Sequence, residues 1–409
     1  MHPKEGSGQP FDGPVCAPQP SACLHSIVRD LPSLAGGRAA RRLTVAVLGP
    51  SSHPVAEPYV GGLESFVGGL VDGLRARGHR VLLFAAAGST GAQPEVLSGG
   101  GWQPDELSRA DASMPAAAFL REHHAHLAVL HALRTTYAGE VDVVHNNSLH
   151  YLPLSLSTTL PVPTVTTLHT PPTPWLTSAL DAGGSSHTWT AVSRFTARQW
   201  QRWVPGAQVL HNGVDPGRWT LGRGGGGVLW FGRIVPEKAP HLAVAAARAA
   251  GRHLDLVGPA LDPGYFAECI APHLGRGVTW HGHLGGPILV EAVGRAAAVL
   301  VTPAWDEPFG LVAAEAAMCG TPVVAFDRGG ISEVLRPHVG EQVGVVVPDG
   351  DVGAMAAAIG PAAAMDRGEV RAAALSHLSS QTMVARYEAV LGAAAAGGPA
   401  TDQVSVVAS

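Results

Sequence analysis

The segment Trp305-Asp-Glu-Pro-Phe-Gly-Leu-Val-Ala-Ala-Glu-Ala-Ala-Met-Cys-Gly-Thr-Pro-Val-Val324 sets Glu307 and Glu315 on either side of Gly310. A strand ending at Thr302-Pro303 feeds a loop carrying Glu307, and Gly310 opens a helix that runs to Gly320. Backbone amides around Phe309, Gly310 and Leu311 are then free donors at a helix N-terminus, a geometry suited to an anionic phosphate. Glu315 falls among Leu, Val, Ala and Met, so its carboxyl group needs hydroxyl or cationic partners, such as the paired hydroxyls of a ribose or sugar ring. The competing reading is a solvated glutamate behind an acidic loop. Upstream, Phe231-Gly-Arg-Ile-Val-Pro-Glu-Lys238 ends a buried strand and projects Arg233 and Lys238 just past it. A guanidinium fork and an ammonium point charge there suit a pyrophosphate. The alternative is a surface loop whose charges pair with Glu237.

These residues need a parallel sheet behind them. The apolar run Leu43–Leu48 ends in Gly49-Pro50 and suits a strand buried on both faces. Leu63, Phe66, Val67, Leu70 and Leu74 recur at helical spacing up to Gly78, and Arg80–Phe84 is the next strand. Strand, glycine turn, helix and strand make a βαβ unit with parallel strands. Further strands are expected at Val141–Val144, Thr164–Leu168 and Thr188–Val192, with helices over Pro115–Leu133 and Ser193–Trp203. The glycine run 221–227 breaks all periodicity and reads as a flexible linker. Beyond it, strands at Val228–Phe231, Leu254–Val257, Val278–Trp280, Val299–Thr302 and Pro322–Phe326 alternate with helical patterns at His241–Ala250 and Leu311–Met318. The expected organisation is a disordered leader (1–40), a first α/β domain (41–220), a linker (221–227) and a second α/β domain (228–375). A C-terminal helix (376–395), able to pack back on the first domain, and a tail (396–409) follow. Two open parallel sheets would face each other across a cleft, with ligands outside the carboxyl ends of their strands.

With Gly61-Gly-Leu-Glu64, Thr167-Leu-His169, Val192-Ser-Arg-Phe195, Asn212-Gly-Val-Asp215, Gly232-Arg…Lys238 and Glu307-x7-Glu315 in order, the chain resembles the retaining glycosyltransferase family 4. The resemblance spans residues 43 to 390 and implies the GT-B fold: α/β, two Rossmann-like doubly wound domains across a cleft. It implies that Arg233 and Lys238 neutralise the diphosphate of a nucleotide sugar such as UDP-glucose, that Glu315 holds the ribose, and that Glu307 and His169 meet the transferred sugar. Amides at Phe309, Gly310 and Leu311 would assist at the phosphate. Gly62 would let the N-terminal loop approach the donor, and the turn carrying His283 would pack the base. Acceptor contacts are expected near Gly61, His145, Asn146, His150 and Trp175. The family commonly places glycine after the lysine, where this chain has Ala239-Pro240. The Arg233–Pro240 segment and Trp305-Asp-Glu-Pro-Phe-Gly also resemble a subset labelled pterin glucosyltransferases.

Composition narrows the class. Apolar residues make up 46% of the 409, and net charge is −5 without a basic run, so a nucleic-acid partner is not expected. No long uncharged stretch suggests a membrane span, and residues 1–220 balance acid and base, which gives no basic patch for an anionic lipid surface. Four cysteines make no disulfide framework, and the first forty residues lack a secretion signal, so a reduced cytoplasmic protein is the default. No cofactor and no metal are expected, because Arg and Lys supply the positive charge. His123-His-Ala-His126 spreads around a helix and reads as solvated or acceptor-facing rather than as a metal site. The expected partners are a nucleotide sugar and a small alcohol, with the oligomeric state left open. Competing readings are a lipid-acceptor transferase, a phosphorylase or epimerase of the same fold, and a non-catalytic nucleotide-sugar-binding relative.

Overall fold

Short β-branched and apolar runs, bounded by glycine and proline, become the strands of two parallel sheets. The computed structural model describes residues 41–91, 103–182, 187–336 and 341–397; the leader and nearly all of the tail lie outside them. The first sheet contains β1 Thr44–Leu48, β2 Arg80–Phe84, β3 Val143–Asn146, β4 Thr164–Leu168, β5 His187–Ala191 and β6 Gln208–Val209. The second contains β7 Val228–Phe231, β8 Leu254–Val257, β9 Val278–Trp280, β10 Ala298–Val301, β11 Val323–Phe326 and β12 Gly344–Val347. Their orders are β2-β1-β3-β4-β5-β6 and β12-β11-β10-β7-β8-β9. Each order reverses once, between β1 and β3 and between β7 and β10. A parallel sheet opens its ligand crevice at such a reversal, beyond the strand carboxyl ends. This is the two-lobed GT-B arrangement.

The helices that bear on the site in the first lobe are α1 Gly62–Ala76, α2 Ala117–Arg134, α3 Tyr151–Leu156, α4 Pro174–Ala182 and α5 Arg194–Trp200. In the second half of the chain they are α6 Pro240–Ala249, α7 Leu311–Met318, α8 Ile331–Leu335, α9 Arg367–His377 and α10 Ser380–Ala395. No helix among the described residues is long and apolar enough to cross a membrane.

Helix α10 belongs to the first lobe's core. Met383, Val384, Tyr387 and Leu391 share one buried cluster with Phe66, Leu70 and Leu74 of α1. A side chain at Gly73 would place its Cβ 2.4 Å from Val384 Cγ2, so the small residue sets how closely the two helices cross. Glu388 fixes the register, accepting from Arg77 Nε at 2.7 Å and His79 Nε2 at 2.9 Å. The chain therefore passes between lobes twice, and the two passages touch. Val214 N donates to Leu378 O at 2.7 Å and Ser380 N to Val214 O at 2.9 Å.

The glycine run is not the free tether that its composition suggests. Gly222, Gly224 and Gly226 donate to the carbonyls of Cys319, Gly294 and Arg295 at 3.0, 3.0 and 2.8 Å. The Arg367 guanidinium caps the carbonyls of Gly222, Gly294, Ala296 and Cys319. A Cβ on Gly222 would lie 2.1 Å from Gly294 O. Glycine serves close approach here, and flexibility is largely used up.

Candidate active site

Strand ends of both sheets converge on two adjoining cavities, of about 230 and 340 Å³. The first is lined by the residues after β7, β8 and β10 (Gly232 and Arg233, Gly258 and Pro259, Thr302 and Pro303), together with His283 and Glu315. Residues after β1, β4 and β5 line the second: Ser51 to His53, His169 with Thr170, and Val192. Gly61, Gly62, Arg233, Lys238, Glu307, Gly310 and Leu311 border both. The wall between the cavities is thus where charge concentrates.

Lys238 ends a 3₁₀ turn, Pro236–Lys238, that is pinned to the β10 end: Thr302 Oγ1 donates to the carbonyls of Lys238 and Ala239 at 3.2 and 3.0 Å. Trp230 Nε1 donates to Thr302 Oγ1 at 3.1 Å. The Lys238 ammonium pairs with Glu307 Oε2, which also accepts from Trp305 Nε1 at 3.0 Å, and lies 5.0 Å over the Trp305 ring. Arg233 does meet Glu237, at 3.6 Å, but both are well exposed and such a pair is weak. Ala239 is the one described non-glycine residue with positive φ, at 45°, and it is fully buried. The turn keeps the left-handed geometry that glycine would take without strain.

Gly310 adopts φ 97°, a conformation suited to glycine, and turns the chain into α7. The first two amides of α7, of Leu311 and Val312, have no acceptor among the described residues and belong to residues lining the first cavity, whereas Ala313 N donates to Gly310 O at 3.0 Å. Gly62 of the first lobe rests on this turn, since a Cβ there would stand 2.9 Å from Leu311 Cδ1. Glu315 lies one turn into α7 and lines the first cavity. Its side chain keeps intermediate exposure toward that cavity, but crowding raises its carboxyl to about 8, with Arg218 pulling the other way. Arg218 borders the same cavity, pairs with Glu57 and lies 5.8 Å from the Tyr59 ring.

His169 ends β4 on the second cavity. Its Nε2 meets Asn147 Oδ1 at 3.0 Å and Phe66 packs edge-on at 4.8 Å. Burial drops its pKa to about 3, so it is a neutral imidazole. His283 is an exposed residue of the first cavity. Phe309 is buried and borders the second cavity rather than the first, whereas its neighbours Gly310 and Leu311 border both.

Four of the residues expected at the acceptor border neither cavity. His145 is fully buried, bonded to Thr167 Oγ1 at 2.9 Å with the Tyr387 ring 5.2 Å away. Asn146 is fully buried too and accepts from Ser148 N and Oγ at 3.1 and 2.8 Å. Strand β3 extends through both, which turns two expected loop residues into sheet interior. His150 caps α3, accepting from Leu152 N at 3.2 Å, and stacks on His126 at 4.0 Å. Trp175 is half exposed but packs on Tyr151 and Phe119, at 4.6 and 5.7 Å. His126 is thereby part of an aromatic stack, and no group of three or more metal-ligating side chains occurs among the described residues.

The Val192–Phe195 motif clasps the lobes together. Ser193 Oγ donates to Pro308 O at 2.6 Å, and Glu333 of α8 accepts from the amides of Arg194 and Phe195, each at 2.8 Å, and from His211 at 3.1 Å. Burial would raise the Glu333 carboxyl, but His211 and the two amides outweigh it and hold it below the usual range. Sequence reading also missed Glu64, Glu122 and Asn212 on the second cavity. For Ser51 and His53 a signal existed: they directly follow the first strand, at a place where a parallel sheet opens.

Comparisons with known proteins agree with this geometry. The family model "Glycosyltransferase Family 4" matches residues 60–218, and "Glycosyl transferases group 1" matches 225–363. Glycogen synthase of Mycobacterium tuberculosis is 34% identical over 175 residues, 39% of this chain and 41% of that protein. D-inositol 3-phosphate glycosyltransferase of Kribbella flavida is 33% identical over 220 residues, 44% of this chain and 50% of that one. The chain thus spans about half the length of these relatives or less. Among solved structures, AviGT4, a glycosyltransferase involved in avilamycin A biosynthesis, aligns with a TM-score of 0.60 and 26% identity over 87% of this chain and 99% of its own. Anabaena Alr3699/HepE in complex with UDP and glucose aligns at 0.62 and 20% identity over 85% and 98%. Each lobe is thus similar to glycosyltransferases, the first to the family 4 model and the second to the group 1 model, and the fold is shared with a solved glycosyltransferase over 87% of the chain.

Proposed function

We propose that the protein is a retaining hexosyltransferase that moves a sugar from a nucleoside diphosphate donor to a small alcohol. The observation that carries this reading is the shared wall: Arg233, Lys238 and the first amides of α7 stand between a cavity fit for a nucleotide and one fit for an acceptor. The nucleoside occupies the first cavity, its ribose on Glu315 and its base beside the His283 turn. The diphosphate lies along Arg233, Lys238 and the α7 N-terminus. Lys238 then exchanges Glu307 for phosphate, which frees the Glu307 carboxyl for sugar hydroxyls.

As the bond from the sugar's anomeric carbon to the β-phosphate oxygen breaks, the departing diphosphate gathers negative charge. Preplaced cations and amides meet it, worth roughly 10²–10³ in rate for one such donor group. The acceptor oxygen attacks from the face the diphosphate leaves, so configuration is kept, and its proton passes to the leaving phosphate oxygen. The neutral imidazole of His169 offers a hydrogen bond to a sugar hydroxyl without competing for that proton. Positive charge from the chain itself makes a metal ion dispensable in this scheme.

Thermal unfolding in the presence of UDP, GDP and ADP tests the reading. One nucleotide is expected to raise the midpoint clearly, and Lys238→Ala and Glu315→Ala to remove most of the rise. Indifference to all three would overturn it.

A further inference from the structure

The second cavity is asymmetric in charge. Its second-lobe side carries Arg233 and Lys238, which a bound diphosphate neutralises. From the first lobe come Glu64, Glu122, His53 and the neutral His169, with no lysine or arginine. Glu64 is only 6% exposed and lies in the first turn of α1, and its carboxylate, open to the cavity, has no hydrogen-bond partner among the described residues. The nearest basic atom, His53 Nδ1, is 3.9 Å away. Glu122 is exposed and uses one oxygen on Ser51 Oγ at 2.5 Å. A second, independent orphan faces the same space: Asn212 is buried to 5% exposure, and its Oδ1 has no partner.

Every underused polar atom named here accepts hydrogen bonds. Leaving buried acceptors unmet is costly, and a ligand that brings only further acceptors would leave them so. A phosphate-bearing acceptor would add like charge opposite two acids, whereas an ammonium with flanking hydroxyls supplies donors and opposite charge together. Resting on the transferase reading above, we infer that the acceptor is a polyhydroxylated amine, bound through its ammonium and hydroxyl groups by Glu64, Glu122 and Asn212, and not a phosphate ester.

The test is calorimetric titration of the full chain, saturated with whichever nucleoside diphosphate stabilises it, so that Arg233 and Lys238 are occupied. The ligands are serinol, glucosamine and an inosamine, each against its N-acetyl form and its phosphate ester. At least one amine is expected to bind about tenfold tighter than both counterparts and to weaken with added salt, as a partly shielded ion pair should. Glu122→Gln, on an exposed side chain, and Glu64→Gln, nearly isosteric, are each expected to cut that preference roughly threefold or more. Retained nucleotide binding certifies that either variant is folded. Tighter binding of an N-acetyl form or a phosphate ester, no binding by any of the three amines, or a preference untouched in both variants overturns the inference while the transferase reading stands. Failure of every nucleoside diphosphate to bind overturns the transferase reading itself.

Discussion

The two sides of the cleft are built from similar sheets and differ in how their chemistry is encoded. On the second-lobe side, the charged and amide groups come from two short stretches, 231–240 and 302–315, each running from a strand end into a helix. First-lobe groups come singly from the ends of β1, β4 and β5, from α1, and from the middle of α2. On the proposed reading, the donor is met by a local cassette, whereas the acceptor is met by groups that only tertiary packing assembles. One side offers cations and amide donors, and the other offers acceptors.

Removing the cassette's central charge should break that contrast most severely. Lys238→Ala is expected to lower turnover by about 10²–10³, read as nucleoside diphosphate release with acceptor present; a loss under threefold would show that Lys238 does not meet the leaving group. Next comes the clasp between the sides. Glu333→Ala strips the acceptor from two amides and His211, which are exposed to partly buried, and should cost about 1–2 kcal/mol in denaturant unfolding. Because the Glu333 carboxyl sits below its ordinary value, its contribution is present above that value and lost as pH falls through the lower folded one. The clasp should therefore loosen on acidification, and Glu333→Gln should remove that sensitivity.

Glu315 behaves in the opposite sense. Its folded value of about 8 exceeds the unfolded 4.5, so the folded chain holds a proton that the unfolded chain has released. Stability should fall as pH rises from 4.5 to 8 and level off above, and Glu315→Gln should flatten that slope in thermal unfolding. An unchanged slope would mean that the carboxyl is well solvated after all. The smallest effect concerns the cassette's odd residue. Ala239→Gly should relieve left-handed strain and gain about 1 kcal/mol or less, since glycine also loses more entropy on folding. A destabilised variant would show that the alanine methyl packs better than the strain costs.

Most strands, and the gathering of Arg233, Lys238, Glu307, Gly310 and Leu311 along one wall, are legible because periodicity, glycine and charge coincide over short spans. His145 and Asn146 were misread for a specific reason. The apolar run suggests a strand ending at Val144, but β3 starts at Val143 and carries two polar residues into the interior, where Thr166 and Ser148 bond Asn146 and Thr167 bonds His145 Nε2, leaving His145 Nδ1 without a partner among the described residues. Polar groups paired across strands leave no hydrophobic pattern. His150 borders neither cavity because it caps α3, a six-residue helix that tolerates Pro153 in its first turn. Glu64 stood inside a motif read for its glycines, and its orphaned carboxyl becomes visible only when the loop folds over it.

The returning helix has a consequence for biosynthesis. Phe66, Leu70 and Leu74 emerge from the ribosome early, yet the Tyr387 and Leu391 that complete their packing are made more than three hundred residues later. The later-made half can settle first, while its predecessor waits until the helix Ser380–Ala395 has been made. Truncations that remove this helix should therefore injure the first lobe, far away along the chain.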